Sequence, residues 1–142
     1  MTDPRPVTGF HHVALGARDF DRTIAFYTGV LGLRPKVAWG EAPHRAAMLD
    51  AGDRTYLEVF ERPDAPPSPE GEGAILHFAL RTDDTDGVLE RARASGAEVT
   101  MQPRSVDIPN TQAGVPSALP IRIAFFLGPD GEVVELCQNA AT

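Results

Sequence analysis

Apolar residues recur along this chain with two spacings, and the succession of the two runs through the sequence twice. Over about 9–16, in FHHVALG, side chains alternate in a pattern that predicts a strand. The next stretch, DFDRTIAFYTGVLG, places Phe20, Ile24, Tyr27 and Leu31 at helical spacing, with Asp19 as N-cap and Gly32 as stop. Three short strands are expected at about 33–39, 45–50 and 55–61, separated by the turn signals GEAPH and AGD. RPDAPPSPEGEG, residues 62–73, is dense in Pro, Gly and charge and reads as an extended connector. The order then repeats. AILHFALRT reads as a strand, DDTDGVLERARASG as a helix with an acidic first turn and a Gly stop, and EVTM, IRIAFFL and EVVELCQ as strands.

Each half is therefore βαβββ, and the expected fold class is α+β. One domain over 1–142 would hold module one at about 9–61 and module two at about 74–138. The two modules are expected to curve a mixed sheet around one cleft, with the helices on its outer face. The stripe Phe20, Ile24, Tyr27, Leu31 would then cover the sheet face opposite His12, packing on Val13 and Leu15. Between the second helix and IRIAFFL, residues 102–120 read as a long structureless loop, a candidate wall or lid contributing Asn110 or Gln112.

The repeat extends to particular residues. His12 precedes Asp19 by seven positions, and His77 precedes Asp84 by seven. TYLEVF closes the first half and EVVELC the second, each with one glutamate among apolar neighbours. Strand alternation puts His12 with Phe10 and Ala14, Glu58 with Tyr56 and Phe60, His77 with Ile75 and Ala79, and Glu135 with Val133 and Cys137. Each is the odd polar group on a mostly apolar face. An unpaired buried carboxylate costs several kcal/mol, and a divalent cation removes that cost. His12, Glu58, His77 and Glu135 form a mixed N/O donor set suited to Ni, Zn, Co, Mn or Fe. His11 and His44 lack equivalents in the other half and are read as structural or surface residues. Arg81 continues the His77 face and Arg122 shares a face with Ala124 and Phe126; both are candidates to meet an anionic substrate.

Composition narrows the partners. Against 13 Lys and Arg stand 20 Asp and Glu, a formal net charge of −7. Such a surface repels phosphate backbones, so nucleic acid is not expected as a partner. No apolar run has spanning length and MTDPRPVTG lacks the order of a signal peptide, so no membrane association is expected. The single cysteine, Cys137, excludes an internal disulfide and fits a cytoplasmic location.

From about Gly9 to Gln138 the chain resembles the vicinal oxygen chelate superfamily, which includes glyoxalase I, methylmalonyl-CoA epimerase, extradiol dioxygenases and the fosfomycin- and bleomycin-resistance proteins. FHHVALGARDFDRTIAFYTGVLGL is similar to its first module; ILHFALRTDD and GPDGEVVEL are similar to its second. The resemblance implies metal ligands at His12, Glu58, His77 and Glu135, with glutamate at the second place as in glyoxalase I. It implies a metal-dependent isomerase or lyase of glyoxalase type that transfers a proton through a metal-stabilised enediolate on a small-molecule substrate. Glu135 would be the base and Glu58 its symmetry-related rival. The chain would be a homodimer. The same resemblance leaves open an extradiol dioxygenase, an epimerase, a thiol transferase and a non-catalytic small-molecule binding or resistance protein. Metal-dependent bacterial glyoxalase I carries an Arg four positions after its first histidine and an Asn four after its first glutamate, both serving glutathione. Here Gly16 and Arg62 occupy those places.

Overall fold

The first turn signal after the opening strand does what its residue type dictates. β1 (His12–Ala17) ends before Asp19, whose carboxylate accepts the Arg22 backbone N–H at 3.1 Å and caps α1 (Phe20–Ala25). In this computed structural model, which describes residues 10–65, 77–109 and 118–139, the helix then widens into a π turn over Phe26–Val30. There the Leu31 N–H donates to the Phe26 carbonyl at 3.3 Å. Gly32, at φ +78°, leads the chain out of the helix. Three strands follow: β2 (Arg34–Trp39), β3 (Ala46–Gly52) and β4 (Thr55–Glu61).

The second succession is built alike. β5 (Phe78–Arg81) leads to α2 (Thr85–Ala94), capped by Asp84 accepting the Gly87 N–H at 3.0 Å and left through Gly96 at φ +100°. β6 (Val99–Pro109), β7 (Ala118–Leu127) and β8 (Val133–Gln138) complete it. The recurring seven-residue interval from histidine to aspartate is thus the length of one strand, a tight turn and a helix cap.

The chain divides into two compact units, Met1–Ala65 and Pro66–Thr142. Each has a four-stranded mixed sheet, in order β1-β4-β3-β2 and β5-β8-β7-β6. In each, the first and last strands run parallel along one edge of the sheet, and the other pairs are antiparallel. In the first unit Leu49, Leu57 and Val59 are buried on the face away from Glu58, and α1 packs against β4. In the second, Ala124, Phe126, Val134 and Leu136 are buried with Leu89 and Ala92 of α2, away from Glu135. No described helix is long and apolar enough to cross a membrane.

Three expectations are corrected. Most of residues 102–120 is not a loop: β6 and β7 pair from Val99↔Phe126 to Pro109↔Ala118 as a long hairpin. Its prolines read as breakers, but β6 is an edge strand, where a missing N–H costs little, and two register shifts between Val99 and Arg104 accommodate Pro103. Asn110 and Gln112 lie outside the described residues. The helical stripe is also shifted. Tyr27 is fully buried, but Phe20, Ile24 and Leu31 are half-buried, and Thr23 and Phe26 face inward instead. A π turn holds more residues per turn than an α-helix, so spacing counted at 3.6 slips after Ala25. Val13 stays 37% exposed, and Ala17 is the β1 residue that is fully covered.

Candidate functional site

Parallel pairing fixes where the candidate ligands stand. In the first unit Ala14 is opposite Glu58 and His12 is opposite Tyr56, all on the face that α1 does not cover. In the second, Ala79 is opposite Glu135 and His77 lies two residues before Ala79. The two registers are the same. His12 Nε2 lies 3.7 Å from Glu58 Oε1, and His77 Nε2 lies 3.0 Å from Glu135 Oε2. The glutamate side chains are 13% and 15% exposed, and the histidine side chains 41% and 38%. The carboxylates are therefore sunk in the sheet while the imidazole tips remain open to ligand.

Each pair by itself has the donor chemistry of two metal ligands. An imidazole lone pair and a carboxylate oxygen repel at such distances unless a proton or a metal ion lies between them. Two donors bound at about 2.1 Å to one cation stand about 3.0 Å apart at right angles, and wider as the angle opens. Both observed separations suit a shared ion. Among the described residues no group of three or more His, Cys, Asp or Glu gathers as a metal site; the structure brings the candidates together as two separate pairs, His12 with Glu58 and His77 with Glu135.

The neighbours of the two pairs differ. The Phe125 ring stands edge-on to His77, with centroids 5.3 Å apart. In the first unit His11, which strict strand alternation would send to the side of Val13 and Leu15, instead brings its Nδ1 to 3.0 Å from His12 Nδ1. The reason is that β1 begins only at His12, so strand alternation does not govern His11. Its ring rests on Tyr56 at 5.1 Å. Farther along the same face Trp39 and Phe60 meet edge to face, both substantially exposed. At the end of β1, the Arg62 stem fills the side of Gly16: a Cβ there would stand 3.0 Å from Arg62 Cδ. Cys137 shares the Glu135 side of β8; burial pushes its thiol up, with the Glu135 charge adding and Arg81 opposing.

Arg122 is not on the ligand face. Its Nε and Nη2 donate to Asp86 at 2.6 and 2.7 Å, and its Nη1 to Ser105 Oγ at 3.0 Å. The Arg122 guanidinium in turn holds the Asp86 carboxyl below the usual range. The first unit has the same device. Arg45, three residues before the strand partner of Glu58 as Arg122 is before that of Glu135, donates to Glu61 at 3.0 and 2.6 Å and to Asp21 at 3.0 Å. Asp21 and Asp86 each follow a capping aspartate by two residues. These arginines pin a helix N-terminus to its sheet, which is the physical reason Arg122 is unsuited to meet substrate. An open cavity of about 490 Å³ beside it, lined by Asp83, Ser105, Asp107 and Gln138, is likewise formed away from His77 and Glu135. Arg81 does stand on the ligand side, opposite Cys137.

Comparison with known proteins identifies the family. The sequence profile of the Glyoxalase/Bleomycin resistance protein/Dioxygenase superfamily matches residues 9–136. A lactoylglutathione lyase of Arabidopsis thaliana is 34% identical over 138 residues, covering 94% of this chain and 45% of its own length. The chain thus spans about half of that plant relative. A probable lactoylglutathione lyase of Vibrio cholerae is 32% identical over 132 residues, covering 90% of this chain and 88% of its own. The crystal structure of a glyoxylase/bleomycin resistance protein/dioxygenase domain from Frankia sp. EAN1pec superposes with a TM-score of 0.72 at 19% identity, covering 95% and 94%. That likeness shows the fold.

Proposed function

This chain belongs to the glyoxalase/bleomycin resistance protein/dioxygenase superfamily, and we propose that within it the protein is a metal-dependent lyase of the glyoxalase type. The observation that carries the reading is the twice-repeated register that sets an imidazole beside a sunken carboxylate at 3.7 and 3.0 Å. His12, Glu58, His77 and Glu135 are the proposed ligands of one divalent ion, drawn from Ni, Zn, Co, Mn or Fe. Such an ion supplies Lewis-acid stabilisation of negative charge on adjacent substrate oxygens. The chain's own residues do the rest. Glu135 takes a proton from the carbon beside the carbonyl and returns it to the neighbouring carbon, with Glu58 as its symmetry-related rival for that role. Trp39 and Phe60 offer an apolar surface for the substrate beside Glu58.

The substrate class follows from the second unit. The Arg and Asn spacings that serve glutathione in bacterial glyoxalase I are absent at Gly16 and Arg62. The Arg recurs at Arg81, four positions after His77, whereas Asn139, four after Glu135, lines the cavity beside Arg122. This supports a hemithioacetal of an anionic thiol as substrate. A homodimer is the proposed assembly, checked by sedimentation at micromolar concentration, where a monomer contradicts it.

The test offers the metal-loaded protein the hemithioacetal of methylglyoxal and glutathione. Turnover is expected, and Glu135→Gln keeps metal while losing about 10²- to 10⁴-fold in rate, because an amide oxygen still ligates but takes no proton. Full activity in Glu135→Gln contradicts the base assignment. No turnover with any first-row metal favours a binding protein instead.

A further inference from the structure

The two units share the register of their His and Glu pairs but support the imidazole differently. Before His77 the sequence has Leu76, whereas before His12 it has a second histidine. The strand partner of Glu135 is Phe125, whose ring stands edge-on to His77. The strand partner of Glu58 is Met48, a side chain too pliable to orient a ring. The first unit holds its imidazole by another means: Nδ1 of His12 lies 3.0 Å from Nδ1 of His11, with the rings at 88°. His11 is itself anchored. Its carbonyl accepts the Tyr56 N–H at 2.9 Å, and its ring rests on the Tyr56 ring.

A contact between two Nδ1 atoms holds a single proton, so one ring donates and the other accepts. A neutral imidazole that offers its Nε2 lone pair to a metal carries its proton on Nδ1. Nε2 is the His12 nitrogen that faces Glu58. His12 Nδ1–H is then the donor, and His11 Nδ1 the acceptor.

We propose that His11 is a positioning residue for the metal site: by accepting the Nδ1 proton of His12 it fixes that ring's rotation and tautomer and directs the Nε2 lone pair toward the ion. The inference rests on the metal reading given under the proposed function. His11 touches neither metal nor substrate and acts only through His12. Partners of this kind change metal affinity by about 10- to 100-fold.

Two substitutions separate the hydrogen bond from the packing. His11→Phe keeps a ring on Tyr56 and removes the acceptor. His11→Asn removes the ring and keeps an acceptor oxygen close to the place of Nδ1. Cobalt(II) affinity is measured on the full chain by competition with a chromophoric chelator, with the circular dichroism spectrum recorded for each variant. His11→Phe is expected to weaken binding about 10- to 100-fold, and His11→Asn to stay within about threefold of the unmodified protein. Equal affinity in all three overturns the proposal, as does an equal loss in both variants or a loss in His11→Asn alone. Unmodified protein that binds no cobalt, or His12→Ala that binds as well as unmodified protein, overturns the metal reading itself, a result distinct from any of these.

Discussion

Adjacent residues on β8 should fail in opposite ways when substituted, because they stand on opposite faces of one sheet. Leu136 is 1% exposed and opposite Leu80 and Ala124; Glu135 faces the other way, beside His77 and Phe125. Leu136→Ala removes three buried carbons at about 0.8 kcal/mol each. With a residual cavity the loss reaches about 3–4 kcal/mol, inside the usual range of about 2–5 for such truncations. Glu135→Gln keeps volume and shape, and its amide still meets His77, so its cost should stay below about 1.5 kcal/mol. Urea unfolding of the metal-free proteins reads both. At a slope of about 2 kcal/mol/M, Leu136→Ala lowers the midpoint by about 1.5–2 M, and Glu135→Gln by well under 1 M. Metal-loaded Leu136→Ala, in the folded range, keeps its turnover per bound ion; Glu135→Gln does not. Equal midpoint shifts, or a larger one for Glu135→Gln, would place Glu135 in the packed layer and refute the two-face assignment.

Asp84→Ala removes the carboxylate that accepts the Gly87 N–H, and should cost about 1 kcal/mol in thermal or urea unfolding, with Asp84→Asn nearly neutral. Arg45 holds the Glu61 carboxyl below its ordinary value, chiefly by hydrogen bonding. That stability is complete above the unfolded-state value and is lost as pH falls through the depressed one, so Glu61→Gln should flatten the acid limb of the stability profile. Gly16→Ala meets only the flexible Arg62 stem, so it should leave unfolding nearly unchanged while displacing Arg62, visible as altered side-chain NMR shifts of that arginine. Arg81→Ala should raise KM for the glutathione hemithioacetal far more than it lowers kcat; equal losses with a small neutral thiol would remove Arg81 from substrate binding.

The repeated pairs were legible because strand alternation is local: once a strand is recognised, its faces follow. His12 with Glu58, and His77 with Glu135, needed only that rule and the second copy of the pattern. The caps Asp19 and Asp84 were legible for the same reason, since capping is decided within four residues. What escaped depended on sheet position or distant partners. Pro103 and Pro120 mark a break in a central strand but are tolerated in an edge hairpin, and a single sequence does not declare which strand is the edge. Arg122 reads as a substrate contact because a strand-end arginine has no local partner; its carboxylate is 36 positions away, on α2. A signal was nonetheless available, since Arg45 and Asp21 occupy the same repeat places. His11 stands one residue before β1 begins, so alternation does not reveal its contact with His12.

The central claim is that two imidazoles and two carboxylates, one pair from each repeat, hold one divalent ion. Metal content by plasma mass spectrometry, after chelator stripping, reloading and gel filtration, tests it most directly. The account predicts about one tightly held first-row ion per chain and a large loss in His12→Ala and in His77→Ala alike, because each removes a first ligand from a different repeat. Metal content unchanged in both substitutions would contradict it.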